Sequence, residues 1–65
     1  MNKVKGFRTM LGMTQLEMAN ELGISDNTYR TLENNPDKFT LEQMNKFLDV
    51  VKRVDPIVKA EDIFF

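Results

Sequence analysis

Between Thr14 and Glu33 the chain carries two short amphipathic helical patterns with only a tight turn's worth of residues between them. Thr14 followed three residues later by Glu17 is a pairing in which each side chain satisfies an orphan backbone N–H of the other, and it predicts a helix that starts just after a Thr14 cap. Leu16, Ala19 and Leu22, with Met18 beside them, recur at the spacing of one helical face. Gly23 then supplies the residue most tolerant of a left-handed backbone at a helix end. Ser25 caps a second helix, in which Tyr29 and Leu32 face inward and Asp26, Asn27, Arg30 and Thr31 face outward. The small Ala19 allows the two helices to cross closely, and Gly23 with Ile24 completes a turn of the length that joins steeply angled helix pairs.

The flanking segments read as scaffold. Val4, Phe7 and Leu11 lie at i, i+3 and i+7 and give a first helix its apolar stripe, with Gly12 ending it and Met13 filling the corner. Gly6 inside that helix costs about 1 kcal/mol relative to alanine and marks either a close helix contact or a tolerated weakness. Asn34 to Lys38 has turn composition, and Pro36 forbids easy continuation of the preceding helix, so this segment is expected to be a loop. Thr40 with Gln43 repeats the capping pattern. Leu41, Met44, Phe47, Leu48 and Val51 form the apolar face of a fourth helix running to about Val51. Asp55-Pro56 reads as a turn and Ala60 to Phe65 as a brief last helix. Phe64 and Phe65 are either the last core residues or part of a contact with a second copy.

Sixty-five residues predict one domain, 1–65, and a chain this short buries only about 60% of the surface its unfolded form exposes. Cysteine and histidine are both absent, which removes disulfides, thiolate metal sites and nucleophilic triads of the Ser-His-Asp or Cys-His kind. No catalytic residue and no metal ligand is assigned, and the expectation is that the protein is not an enzyme. With no long apolar run and no apolar segment after Met1-Asn2-Lys3, the chain is expected to be soluble and cytoplasmic, without a membrane span. The formal net charge of −1 is not the basic balance that advertises nucleic acid. Lys3, Lys5 and Arg8 nonetheless cluster in the first helix, away from Glu61 and Asp62 in the tail.

The spacing from about 14 to 33 is that of a helix-turn-helix, and the segment resembles the helix-turn-helix of the phage Cro and CI repressors and their bacterial relatives. The likeness is strongest from Arg8 to Glu33. It implies an all-α fold, a compact bundle of about five short helices with the helix-turn-helix at its centre. It also implies a largely buried Arg8–Glu33 ion pair, structural in role, and a phosphate contact from Gln15 at the N-terminus of the second helix. Asn34 and Lys38 match places where relatives of this fold meet the sugar-phosphate backbone, and loop polarity alone is the alternative account of both. Ser25 is foremost a cap, with any phosphate contact secondary. Tyr29 stands where the family is usually aliphatic, and its ring is expected in the core with the hydroxyl at the rim.

The outward residues have the chemistry for reading bases. The Asn27 amide presents a donor and an acceptor together, as adenine requires, and Thr31 lies one turn on, with a methyl for thymine or a hydroxyl for a base edge. Arg30 suits guanine or phosphate, or pairs with Asp26. Asp26 either accepts from cytosine N4 or complements the helix dipole. The function implied is a sequence-specific transcriptional regulator, Cro-like and repressing by occupying an operator in double-stranded DNA as a homodimer, with no cofactor. The alternative is a module of the same fold that binds a protein partner, such as an antirepressor, a toxin or another regulator. The acidic balance and Asp26 favour that alternative.

Overall fold

Three hydroxyl-bearing residues in extended backbone begin the helices that matter most. Thr14, Ser25 and Thr40 each accept a hydrogen bond from the N–H three residues on, at Glu17, Thr28 and Gln43, all at 3.1 Å. At two of them the bond is returned: the Thr14 N–H donates to Glu17 Oε1 at 2.8 Å and the Thr40 N–H to Gln43 Oε1 at 2.9 Å. The computed structural model describes residues 3–65; Met1 and Asn2, inside the expected domain bounds, lie outside the described residues. Its helices are α1 (Val4–Met10), α2 (Gln15–Leu22), α3 (Asp26–Asn34), α4 (Leu41–Lys52) and α5 (Ala60–Phe64), with a 3-10 turn at Pro36–Lys38. The fold is all-α, a compact five-helix bundle with a Cα radius of gyration of 10.4 Å, and no strand occurs among the described residues.

α2 is the hub, packed on α3 and on α4. Met18, Ala19 and Leu22 on α2 meet Tyr29 and Leu32 from α3 and Phe47, Val50 and Val51 from α4 in one buried cluster. Gly23 makes the α2–α3 corner possible: its φ is 72°, which a residue with a Cβ adopts only under strain, and the Ile24 N–H beyond it reaches back to Ala19 O at 3.0 Å. α5 closes the base of the bundle against α1 and α4, and the Lys3 N–H donates to Ile63 O at 2.8 Å. Among the described residues no helix is long and apolar enough to cross a membrane.

Several expectations are corrected. Leu16 is 53% exposed and Leu41 73% exposed, although the spacing puts each on an apolar face. The reason is angular: a three-residue step falls about 60° short of a full turn, so Leu16, Ala19 and Leu22 cannot all share one narrow stripe. The buried stripe of α2 is Met18, Ala19 and Leu22, and in α4 Val50 joins Phe47 and Val51 where Leu41 was expected. Phe39, just before the Thr40 cap, is also buried and forms with Phe47 and Phe64 a three-ring cluster of edge-on contacts, centroids 5.1 to 6.1 Å apart. Phe64 is therefore half-buried against the core, whereas Phe65 is 79% exposed. Asn34, expected in a loop, is the last residue of α3, because the restriction imposed by Pro36 falls on Asn35, whose φ and ψ are −134° and 72°.

Candidate nucleic-acid interface

α3 is fixed from one side and bare on the other. Tyr29 and Leu32 hold it to the core, while Asn27, Arg30, Thr31 and Asn34 are exposed. These four stand at i, i+3, i+4 and i+7, so they form one stripe along the outward face. The Asn27 carboxamide has no partner among the described residues, leaving its donor and acceptor both available. The Thr31 hydroxyl donates to Asn27 O at 3.2 Å, which commits its proton to the helix backbone and leaves an acceptor oxygen and a methyl. Asn34 joins the stripe because α3 is longer than its composition indicated; the i+7 spacing from Asn27 is the signal that would have placed it there.

At the start of α3, side chains satisfy one another. Ser25 Oγ accepts from the Thr28 N–H and donates to Thr28 Oγ1 at 2.8 Å, so its hydroxyl is engaged in the cap. Asp26 Oδ2 accepts from Arg30 Nε at 3.2 Å, and Asp26 Oδ1 is shut off from solvent without a hydrogen-bond partner. Only Oδ2 retains access to solvent, on a side chain that is 36% exposed. Asp26 stands in the first turn of α3, where its charge also complements the helix dipole.

At the other end, Glu33 gathers three elements. Arg8 Nε donates to Glu33 Oε2 at 2.7 Å and Nη2 to Oε1 at 3.0 Å, a two-point pairing between α1 and α3. Arg8 Nη1 donates to Met13 O at 2.8 Å, and Gln15 Nε2 donates to Glu33 Oε1 at 3.2 Å. Burial pushes the Glu33 carboxyl up, but the hydrogen bonds it accepts, led by Arg8, outweigh burial and hold it below the usual carboxylate range. Tyr29 is fully buried beside this pair, and its hydroxyl has no partner in hydrogen-bond geometry rather than standing at the rim as expected. Burial, reinforced by the Glu33 carboxylate, drives its phenol far above the ordinary tyrosine range.

The Gln15 link to Glu33 was not legible in the sequence, since it depends on how α2 crosses α3. It places Gln15, half-buried at the first position of α2, with its tethered amide beside a helix start whose Thr14 and Glu17 N–H groups are taken up by the capping box. Lys38 ends the 3-10 turn, exposed, with no partner for its ammonium among the described residues. Lys46 was also missed. Its ammonium lies 3.9 Å from where a Cβ on Gly23 would sit, bringing a cation from α4 to the α2–α3 turn, although it also pairs with Glu42 at 3.4 Å. No spacing within α4 could reveal that neighbour.

No curated protein and no solved structure matches the chain at a significant level. A family model described as helix-turn-helix matches residues 4–56, from the start of α1 through the turn after α4. With the capped α2, the left-handed glycine corner and the outward stripe of α3 inside that match, the chain belongs to the helix-turn-helix family that includes the Cro- and CI-type regulators.

Proposed function

We propose that this protein is a sequence-specific DNA-binding transcriptional regulator that lays α3 in the major groove, and that it represses, as Cro does, by occupying an operator. The observation that carries this reading is the uncovered stripe of Asn27, Arg30, Thr31 and Asn34, four polar side chains on a helix whose other side is locked to the core. A helix fits the major groove, and amide, guanidinium and methyl groups match the base edges displayed there. Asn27, Arg30 and Thr31 read bases in this proposal. Gln15 and Lys38 hold phosphate, Asn34 reaches the backbone from the end of the stripe, and Ser25 and Asp26 shape the helix start. No cofactor takes part.

One module offers a small interface, so specificity calls for two copies on a palindrome with half-sites about one helical turn, ~34 Å, apart. The longest dimension of the described chain is 29 Å, which lets two copies stand side by side at that spacing. A second reading, a module of the same fold that binds a protein partner, draws support from the net charge of −1. Salt separates the two, because counterion release makes DNA binding fall steeply with added salt. Selection from a randomised duplex pool, followed by titration at low and high salt, tests the proposal. A short palindrome with a steep salt slope is the expected outcome; no enrichment by folded protein would turn the assignment toward a protein partner.

A further inference from the structure

We infer that Asp26 is a positioning residue for Arg30, and that the pair is built to read a guanine in each half-site; this rests on the DNA-binding proposal above. The chain has three arginines, and they use their guanidinium groups differently. Arg8 commits Nε, Nη1 and Nη2 to Glu33 and Met13. Arg53 commits Nη1 and Nη2 to Glu21 at 3.1 and 2.9 Å, so its terminal fork is closed. Arg30 is held by Nε alone, at 3.2 Å from Asp26 Oδ2, and among the described residues its Nη1–Nη2 edge has no partner.

That difference decides what Arg30 can do. An arginine tethered through Nε has its remaining N–H groups on the far edge of a planar group, and the two parallel donors there match guanine O6 and N7. Asp26 lies one turn earlier on α3, at the i,i+4 spacing that brings the two side chains together, with the acid N-terminal to the base as the helix favours. The Arg30 side chain remains 57% exposed while paired, so the tether does not bury the fork. In this arrangement the Asp26 carboxylate serves Arg30 first: Oδ2 accepts from Arg30 and Oδ1 is shut off from solvent, so at most Oδ2 remains for a base. Its carboxylate also offsets the Arg30 charge, which weakens Arg30 as a generic phosphate ligand and leaves base geometry as its contribution.

The test uses the whole chain and three variants, Arg30→Ala, Asp26→Ala and Asp26→Asn, each checked for a cooperative melt and each selected against the same randomised duplex pool. The wild type should enrich a guanine at a position that Arg30→Ala leaves random. Asp26→Ala should lose about ten-fold or more of the discrimination at that same position, while binding to unrelated duplex stays equal or tightens because a negative charge is gone. Asp26→Asn keeps an acceptor for Nε and should retain part of the guanine preference. Three results would overturn the inference: an undiminished guanine preference in Asp26→Ala, an equal loss at every position, which marks a purely helix-stabilising acid, or a base other than guanine at the Arg30-dependent position. Absence of any enriched sequence with the folded wild type would instead overturn the DNA-binding proposal itself.

Discussion

Glu33 is the residue on which fold and candidate site meet. Its side chain is 4% exposed and that of Arg8 10% exposed, so removing either partner strands a charge away from water. Glu33→Ala should lower unfolding free energy by about 3–5 kcal/mol with no DNA present, measured by urea titration. A wild-type curve would remove the pair from any account of stability. The same carboxylate gives a pH signature. Its pKa is depressed in the folded state, so the stability it contributes is complete above the unfolded value near 4.5 and is lost as pH falls through the lower folded value. The urea midpoint of the wild type should therefore drop below about pH 4.5, and this component should vanish in Glu33→Ala. The identities of Arg8 and Glu33 pointed to one another only through family resemblance. Twenty-five residues separate them, and no periodicity speaks across that distance.

Helix ends were the most legible part of the chain, because a cap is a local bond between residues three apart. Thr14 and Thr40 begin helices where their spacing to Glu17 and Gln43 puts them, and Ser25, read as a cap from its residue type, begins α3. Which face turns inward was less legible. Leu16 and Leu41 are apolar residues in the first turn of their helices, at the edge of an apolar arc too wide to be covered whole, and the neighbouring helices cover its other side. Phe39 and Val58 lie in no helix and so escaped any periodic reading, yet both are buried. The two glycines with opposite roles give a paired test. Gly23 has a φ of 72°, and a Cβ there would meet only Lys46 Nζ at 3.9 Å, so alanine at this corner should cost about 1–2 kcal/mol through backbone strain alone. Gly6 lies within α1, and a Cβ at that position would have nothing within 4 Å, which makes the glycine a tolerated weakness rather than a contact; Gly6→Ala should raise stability by about 0.5–1 kcal/mol. Thermal melts of both variants check the signs, and a destabilised Gly6→Ala would point to a contact on α1 that the free chain lacks.

For the molecule as a whole, charge placement matters more than the sum of −1. Several cations are neutralised in place, Arg8 by Glu33, Arg30 by Asp26 and Arg53 by Glu21, whereas Lys38 stands unpaired at the end of the 3-10 turn. If Lys38 meets phosphate, Lys38→Gln should reduce the slope of log affinity against log salt by about one and leave the selected sequence unchanged. An unchanged slope would place Lys38 outside the interface. The bond from Gln15 to Glu33 has a wider consequence. Asn27, Arg30, Thr31 and Asn34 bear no part of the core and can be exchanged with little penalty to folding, but Gln15 shares a carboxylate with the ion pair that joins α1 to α3. If Gln15 holds phosphate as proposed, lineages or designed libraries derived from this chain should diversify freely along α3, while the proposed grip on the duplex stays fixed by the demands of remaining folded.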